Sequence, residues 1–220
     1  YLGLFRFEYL MLPEHSLVSS QILNRDILLQ SDVSSAIIPG AISDGILDAL
    51  CELQVLTSVE ESDKRNDLEI LGSNQTAIRD MLKSIEHPYI GNVDLDFYLA
   101  LLVKNTKKYF SGEVVKTSFS HGDFTRWNIR INGSVLCVFD WEEAKFRSLG
   151  YDFYHYVFIR HALINNSSGE SYLKECDVVV KKNIHRYDAY FNQFVYADNR
   201  YLCCHLVEVV NQYIRYIFEC

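Results

Sequence analysis

The tightest local constraint in this chain is a doubling-back near its middle. Asn128 to Ile131 and Val135 to Phe139 are short strand-like runs, and between them stands Asn132-Gly133, a pair that tolerates the positive φ angles of a type I′ turn. A two-residue turn at that point pairs position 131 with 134 and sets Asp140 opposite position 125. The hairpin is preceded by HGDFTRWN, residues 121–128, and followed by DWE, residues 140–142. Folding it therefore carries Asp140 back beside the loop from Asp123 to Asn128.

The elements around the hairpin read as mostly helical. Residues 1–9 (YLGLFRFEY) have a strand pattern, residues 10–17 with Pro13 read as a connector, and residues 18–36 as irregular or a short helix. Pro39 suits the first turn of a helix, and Ile42, Ile46, Ala49, Leu50, Leu53 and Leu56 follow at helical spacing. Residues 57–69 are dense in charge and read as an exposed connection. Ser73 can cap a helix through Ile85, and Asp94 one carrying Leu95, Tyr98, Leu99, Leu102 and Tyr109, with Gly112 as its stop. Val114, Val115 and Phe119 lead into the HGD loop. Beyond the hairpin, helices are expected over 152–164, 171–194 and 200–218, with a polar break at 165–169. The fold class expected is α+β, mostly α: a helical body with an inserted β-hairpin.

Composition narrows the function classes. With 220 residues, 49% of them hydrophobic, the chain can bury a substantial core, and a formal net charge of −8 disfavours nucleic acid or an anionic membrane as partner. No apolar run approaches the ~18 residues of a membrane helix. The six cysteines include no C-x-x-C pair, which fits reduced thiols in a cytoplasmic protein. The basic run Lys181-Lys182 to His185-Arg186 reads as a solvated helix face. The chain opens at Tyr1 in what reads as strand, as a piece of a longer polypeptide would.

Phosphoryl transfer needs a carboxylate to orient the acceptor hydroxyl and receive its proton, together with oxygen ligands that hold magnesium against nucleotide phosphates. Asp123 can serve as the base, and Asn128 and Asp140 offer hard oxygen donors. On these residues, HGDFTRWN followed by a hairpin and VFDWE, the chain resembles the aminoglycoside phosphotransferase and choline kinase family, relatives of protein kinases. The resemblance implies a protein-kinase-like C-lobe in which Asp123 is catalytic, Asn128 and Asp140 bind Mg²⁺, Glu142 is a second metal contact, and His121 fixes the loop. Gly150-Tyr151-Asp152 looks like the family's G-x-D element, with Asp152 capping the next helix and bracing the metal loop. Residues 4–13 (LFRFEYLMLP) resemble the last N-lobe strand and hinge, where the backbone of Glu8 and Leu10 would meet the adenine of ATP or GTP, and Arg126 would touch a phosphate or form a surface salt bridge. The domain reading is then 1–17 as strand and hinge and 18–220 as C-lobe, with a β-rich nucleotide-binding segment of roughly 80–100 residues expected upstream.

The family's acceptor pocket lies on the helices after the metal loop, here 152–218, where Glu170, Glu175 and Asp177 would greet an aminoglycoside and aromatic rings a quaternary amine; sugars and other small alcohols stay open. A catalytically silent kinase-like module is a second reading. A metal-dependent hydrolase using His121 and Asp123 as ligands is a third, and it needs further ligands that His15, His87, His155, His161, His185 and His205 do not supply at recognisable spacing.

Overall fold

The computed structural model describes residues 10–11, 15–20, 25–30, 39–60, 100–101, 103–104, 107, 115–132, 135–197 and 199–219. Three small sheets stand against a helical body. Strands β1 (Leu10–Met11), β7 (Val135–Val138) and β6 (Ile129–Asn132) form one sheet, with β1 parallel to β7 and β6 antiparallel to it. Strands β2 (His15–Ser20) and β3 (Arg25–Gln30) pair as an antiparallel hairpin. The third sheet orders β4 (Val59–Glu60), β5 (Lys116–Ser120) and β8 (Lys145–Ser148), all antiparallel. The helices are α1 (Asp44–Thr57), α2 (Tyr151–Ile159), α3 (Gly169–Asn183), the short α4 (Asp188–Phe191) and α5 (Arg200–Glu219). The fold is α+β and mostly helical.

Several expectations change. The hairpin exists, but Ile131 pairs with Leu136 and Asn132 with Val135, so Asn132 belongs to the ladder rather than to the connection. Apolar matching explains the shift: the observed register sets Ile129 against Val138 and Ile131 against Leu136, whereas the expected one opposes Ile131 to Ser134. Of residues 10–17 and 18–36, read as connector and as irregular or short helix, the described ones, 10–11, 15–20 and 25–30, are strand, and two polar-flanked apolar runs among them pair across six registered positions. Helix α1 begins at Asp44 behind an extended Ser43, not at Pro39. The charged 57–69 stretch contributes β4 to the third sheet. The helix expected over 171–194 breaks after Asn183, where a turn precedes α4. The helix proposed from Ser73 lies outside the described residues, and of the one from Asp94 only residues 100, 101, 103, 104 and 107 are described, as helical.

The core shows why α2 is held where it is. Ile46, Leu47, Leu50 and Leu53 of α1 are buried with Phe153 of α2 and with Tyr190, Phe191 and Phe194. Phe153 meets Phe191 edge-on at 5.7 Å, and Tyr190 meets Phe194 at 5.0 Å. Each such fully buried side chain contributes about 2 kcal/mol. Gln54 adds polar order to this apolar contact, donating to the Tyr190 carbonyl at 3.3 Å and accepting from the Gly150 N–H at 2.9 Å. Gly150 is the residue at the N-cap of α2, at φ 74°, and an added Cβ would sit 2.6 Å from the Phe194 ring. A side chain fits neither that conformation nor that gap. The start of α2 is thus pinned from two sides.

From α3, Glu175 ties the π-helical turn Arg160–Ile164, which continues α2, by pairing with Arg160 and, at 2.6 Å, with His161. Arg186, in the basic run read as solvated, reaches Asp44 at 2.5 Å and Asp48 at 3.3 Å on α1. No helix among the described residues is long and apolar enough to cross a membrane.

Candidate active site

The HGD loop leaves β5 and is fixed from below by α2. The Asp152 carboxylate, 4% exposed, accepts the backbone N–H of His121 at 2.8 Å and of Gly122 at 3.0 Å. Asp152 lies one residue past the start of α2, and Gly150 holds the cap position, so the side chain serves the loop rather than capping its own helix. Gly122 adopts φ 88°, and a Cβ there would collide with the Glu143 carbonyl at 2.4 Å. The loop and the Trp141–Glu143 turn therefore pass in backbone contact.

His121 joins these two segments. Its ring is fully buried, its Nδ1 accepts the Asp123 N–H at 3.2 Å, and its Nε2 lies 2.5 Å from the Phe139 carbonyl. Because Nδ1 is an acceptor, Nε2 carries the proton and donates to Phe139, the residue before Asp140. The ring also packs on Trp141 at 4.7 Å. Asp140 itself sits in the left-handed region at φ 58°, an uncommon conformation for a residue with a side chain. The turn is held there by the Trp141 indole N–H donating to the Val138 carbonyl at 2.9 Å.

Asp123 is 37% exposed at the mouth of a cavity of about 320 Å³. The same cavity is lined by Asp140, Glu142, Glu143, Trp127, His155, Ile159, Leu163, Val209 and Gln212. Asn128 is buried behind Asp123 and gives its amide N–H to the Asp123 Oδ2 at 2.9 Å and to the Asp123 carbonyl at 3.0 Å. His155 Nε2 stands 3.4 Å from Asp123 Oδ1. Burial raises the Asp123 pKa, but the His155 contact, the charges of His155 and His121 and the Asn128 hydrogen bond outweigh it, and the net shift is downward. The group is a carboxylate at neutral pH.

Of the residues singled out from sequence, Asp123, Asp140 and Glu142 share the cavity, Asn128 supports Asp123, and His121 and Asp152 hold the loop. Arg126 does not line the cavity and forms no ion pair among the described residues. Leu10 pairs alongside Leu136, and Glu8 lies outside the described residues. The acidic lining comes from the 140–143 turn, not from Glu170, Glu175 or Asp177. Glu175 is committed to Arg160 and His161, and Asp177 pairs with Lys181 on the surface. His155, named from sequence only among the histidines without ligand spacing, is a cavity residue that sequence reasoning missed. It stands three positions after Asp152 on the same face of α2, and that spacing was the available signal.

Among the described residues no three His, Cys, Asp or Glu side chains gather as a group that could hold a metal ion by themselves. Magnesium is different, since it takes one or two carboxylates and completes its shell with phosphate and water. The carboxylates of Asp123, Asp140, Glu142 and Glu143 on one cavity fit that need, although Asn128 does not line it.

Comparison with solved structures places the chain in the kinase-like fold. A glucosamine kinase (crystal form B) superposes with a TM-score of 0.51 at 11% identity, covering 77% of this chain and 46% of that one. A glucosamine kinase in complex with glucosamine, ADP and inorganic phosphate gives 0.47 at 10% identity, over 77% and 47%. The chain thus spans less than half the length of these structures. Residues 91–172 match the model of the phosphotransferase enzyme family, APH, so the chain's resemblance to that family rests on more than the HGDFTRWN and VFDWE motifs. Comparison with curated proteins gives no match.

Proposed function

We propose that this chain is the acceptor- and magnesium-binding lobe of a small-molecule phosphotransferase that moves the γ-phosphate of ATP or GTP to a hydroxyl. The observation that carries this reading is that Asp123 and Asp140, brought from two loops by the HGD turn and the hairpin, open on one cavity large enough for a small acceptor. Asp123 orients the acceptor hydroxyl and takes its proton as the oxygen bonds to phosphorus and the nucleoside diphosphate departs. With its pKa held down, Asp123 is a weak base, which suits a loose transition state in which the proton moves late and orientation matters most. Asn128, Asp140 and Glu142 would hold Mg²⁺, which when bound neutralises charge on the transferring phosphates. His121 keeps the loop bearing Asp123 in register with the turn bearing Asp140.

Residues 1–17 serve in this reading as the link to a nucleotide-binding lobe, with the backbone of Glu8 and Leu10 toward the base and Arg126 near phosphate, and residues 18–220 as the larger lobe. Glu143 and Trp127, which also line the cavity, suit an amine-bearing alcohol, and an amino sugar such as glucosamine is the first acceptor to try.

The test is a screen of the full-length protein with Mg-ATP or Mg-GTP against glucosamine, choline, aminoglycosides and neutral sugars. Nucleotide consumption that depends on both magnesium and an acceptor is expected, and Asp123→Asn lowers it at least 10²-fold with an unchanged melting temperature. Normal turnover in Asp123→Asn would remove the assigned base.

A further inference from the structure

An aspartate on a loop can rotate its carboxylate through a broad, shallow torsional well, so a single hydrogen bond does not fix the plane of the group. Asn128 anchors Oδ2 of Asp123 at 2.9 Å. The other oxygen faces an imidazole: His155 Nε2 lies 3.4 Å from Oδ1, and both residues line the cavity.

The His155 ring is itself wedged. Its side chain is 5% exposed, it stacks on Tyr151 at 5.4 Å with 14° between the planes, and its edge meets His205 at 5.8 Å. Tyr151 in turn carries the Arg147 guanidinium over its ring at 4.4 Å, and Arg147 is 2% exposed. A side chain braced on this scale and aimed at a candidate base is not ordinary helix packing. The Nδ1 of His155 has no hydrogen-bond partner among the described residues, so the one polar engagement of the ring is with Asp123.

We propose that His155 is a positioning residue: by presenting its Nε2–H to Asp123 Oδ1, it sets the plane of the carboxylate so that the acceptor hydroxyl meets it in line with phosphoryl transfer. The inference rests on the phosphotransfer reading above. His155 neither gains nor loses a proton in this role, since the hydroxyl proton goes to Asp123. At 3.4 Å the contact stands at the long end of hydrogen-bond reach, and the proposed role has it tighten when an acceptor binds.

The experiment uses the full-length protein with Mg-ATP and glucosamine, choline or an aminoglycoside as acceptor probe, and compares His155→Leu with His155→Gln, whose amide nitrogen reaches close to the Nε2 position. His155→Leu is expected to lower kcat about 10- to 100-fold with KM for both substrates within about twofold, because a misplaced reacting group is lost in the transition state rather than in binding. His155→Gln is expected to recover most of that loss. A crystal structure of His155→Leu, which needs no turnover, is expected to show Asp123 in a second rotamer. Unchanged kcat in His155→Leu, equal losses in the Leu and Gln variants, or a single undisturbed Asp123 rotamer would each overturn the proposal. If Asp123→Asn is inactive while His155→Leu is fully active, this inference alone fails. If Asp123→Asn keeps full activity, the phosphotransfer reading fails.

Discussion

Replacing Asp152 by Asn tests how the candidate site is held, independently of any substrate. In the native chain both carboxylate oxygens of this buried residue accept backbone N–H groups, from His121 at 2.8 Å and Gly122 at 3.0 Å. Asparagine keeps one acceptor and turns an NH₂ toward the other donor. The variant loses one charge-assisted hydrogen bond, about 1.5–3 kcal/mol, and strands one buried N–H at about 1–3 kcal/mol. Relief from burying a carboxylate offsets part of this, so a net loss of about 3 kcal/mol is expected. For a chain of this size that corresponds to a melting temperature lower by about 6–12 °C. Hydrogen exchange adds location to magnitude, because the amides of His121 and Gly122 should lose protection while those of α3 keep theirs. Asp177→Asn, which alters only an exposed pair with Lys181, serves as the control and should leave melting unchanged. A shift below about 2 °C in Asp152→Asn, with the two loop amides still protected, would refute the view that α2 braces the HGD loop through this carboxylate.

Two other substitutions probe different parts of the scaffold. Gly150→Ala puts a side chain at φ 74° and within 2.6 Å of the Phe194 ring, so calorimetry should find a loss of about 2–4 kcal/mol; a melting temperature unchanged within about 1 °C would contradict it. His205 is fully buried with no hydrogen-bond partner for either ring nitrogen among the described residues, and burial, followed by the charges of His155 and Arg147, holds its pKa well below the ordinary 6.5. Below pH 6.5 the unfolded chain takes up a proton that the folded chain refuses, so stability falls on acidification by up to about 1.4 kcal/mol per pH unit from this group. His205→Phe should flatten that dependence in urea titrations between about pH 7.5 and 5.5, and an identical slope in the variant would count against it.

What was readable in the sequence divides along physical lines. The hairpin, the HGD loop and the helical remainder were legible because turn chemistry and apolar periodicity are local. The hairpin register was not, since Asn132-Gly133 and Gly133-Ser134 are both plausible turns and only the matching of Ile131 to Leu136 across the ladder decides between them. Strands β2 and β3 were missed for a similar reason: an apolar run such as Ile27-Leu28-Leu29 carries no period, and its partner strand settles its state. At the site, Asp123, Asn128 and Asp140 could be named from spacing and resemblance. The burial of His155 against Tyr151 and its approach to Asp123 depend on α2 docking through Gly150 and Gln54, which are contacts between segments nearly a hundred residues apart.

The hairpin ladder begins at the site, where the Phe139 N–H donates to the Asn128 carbonyl, and runs outward to Asn132 and Val135. Pairing register along this ladder is consequently what sets the distance between the two acidic loops. Slipping one arm by a single residue would turn that arm's buried residues, Ile129 on the first or Val138 on the second, out of the interior and shift Asp140 relative to Asp123.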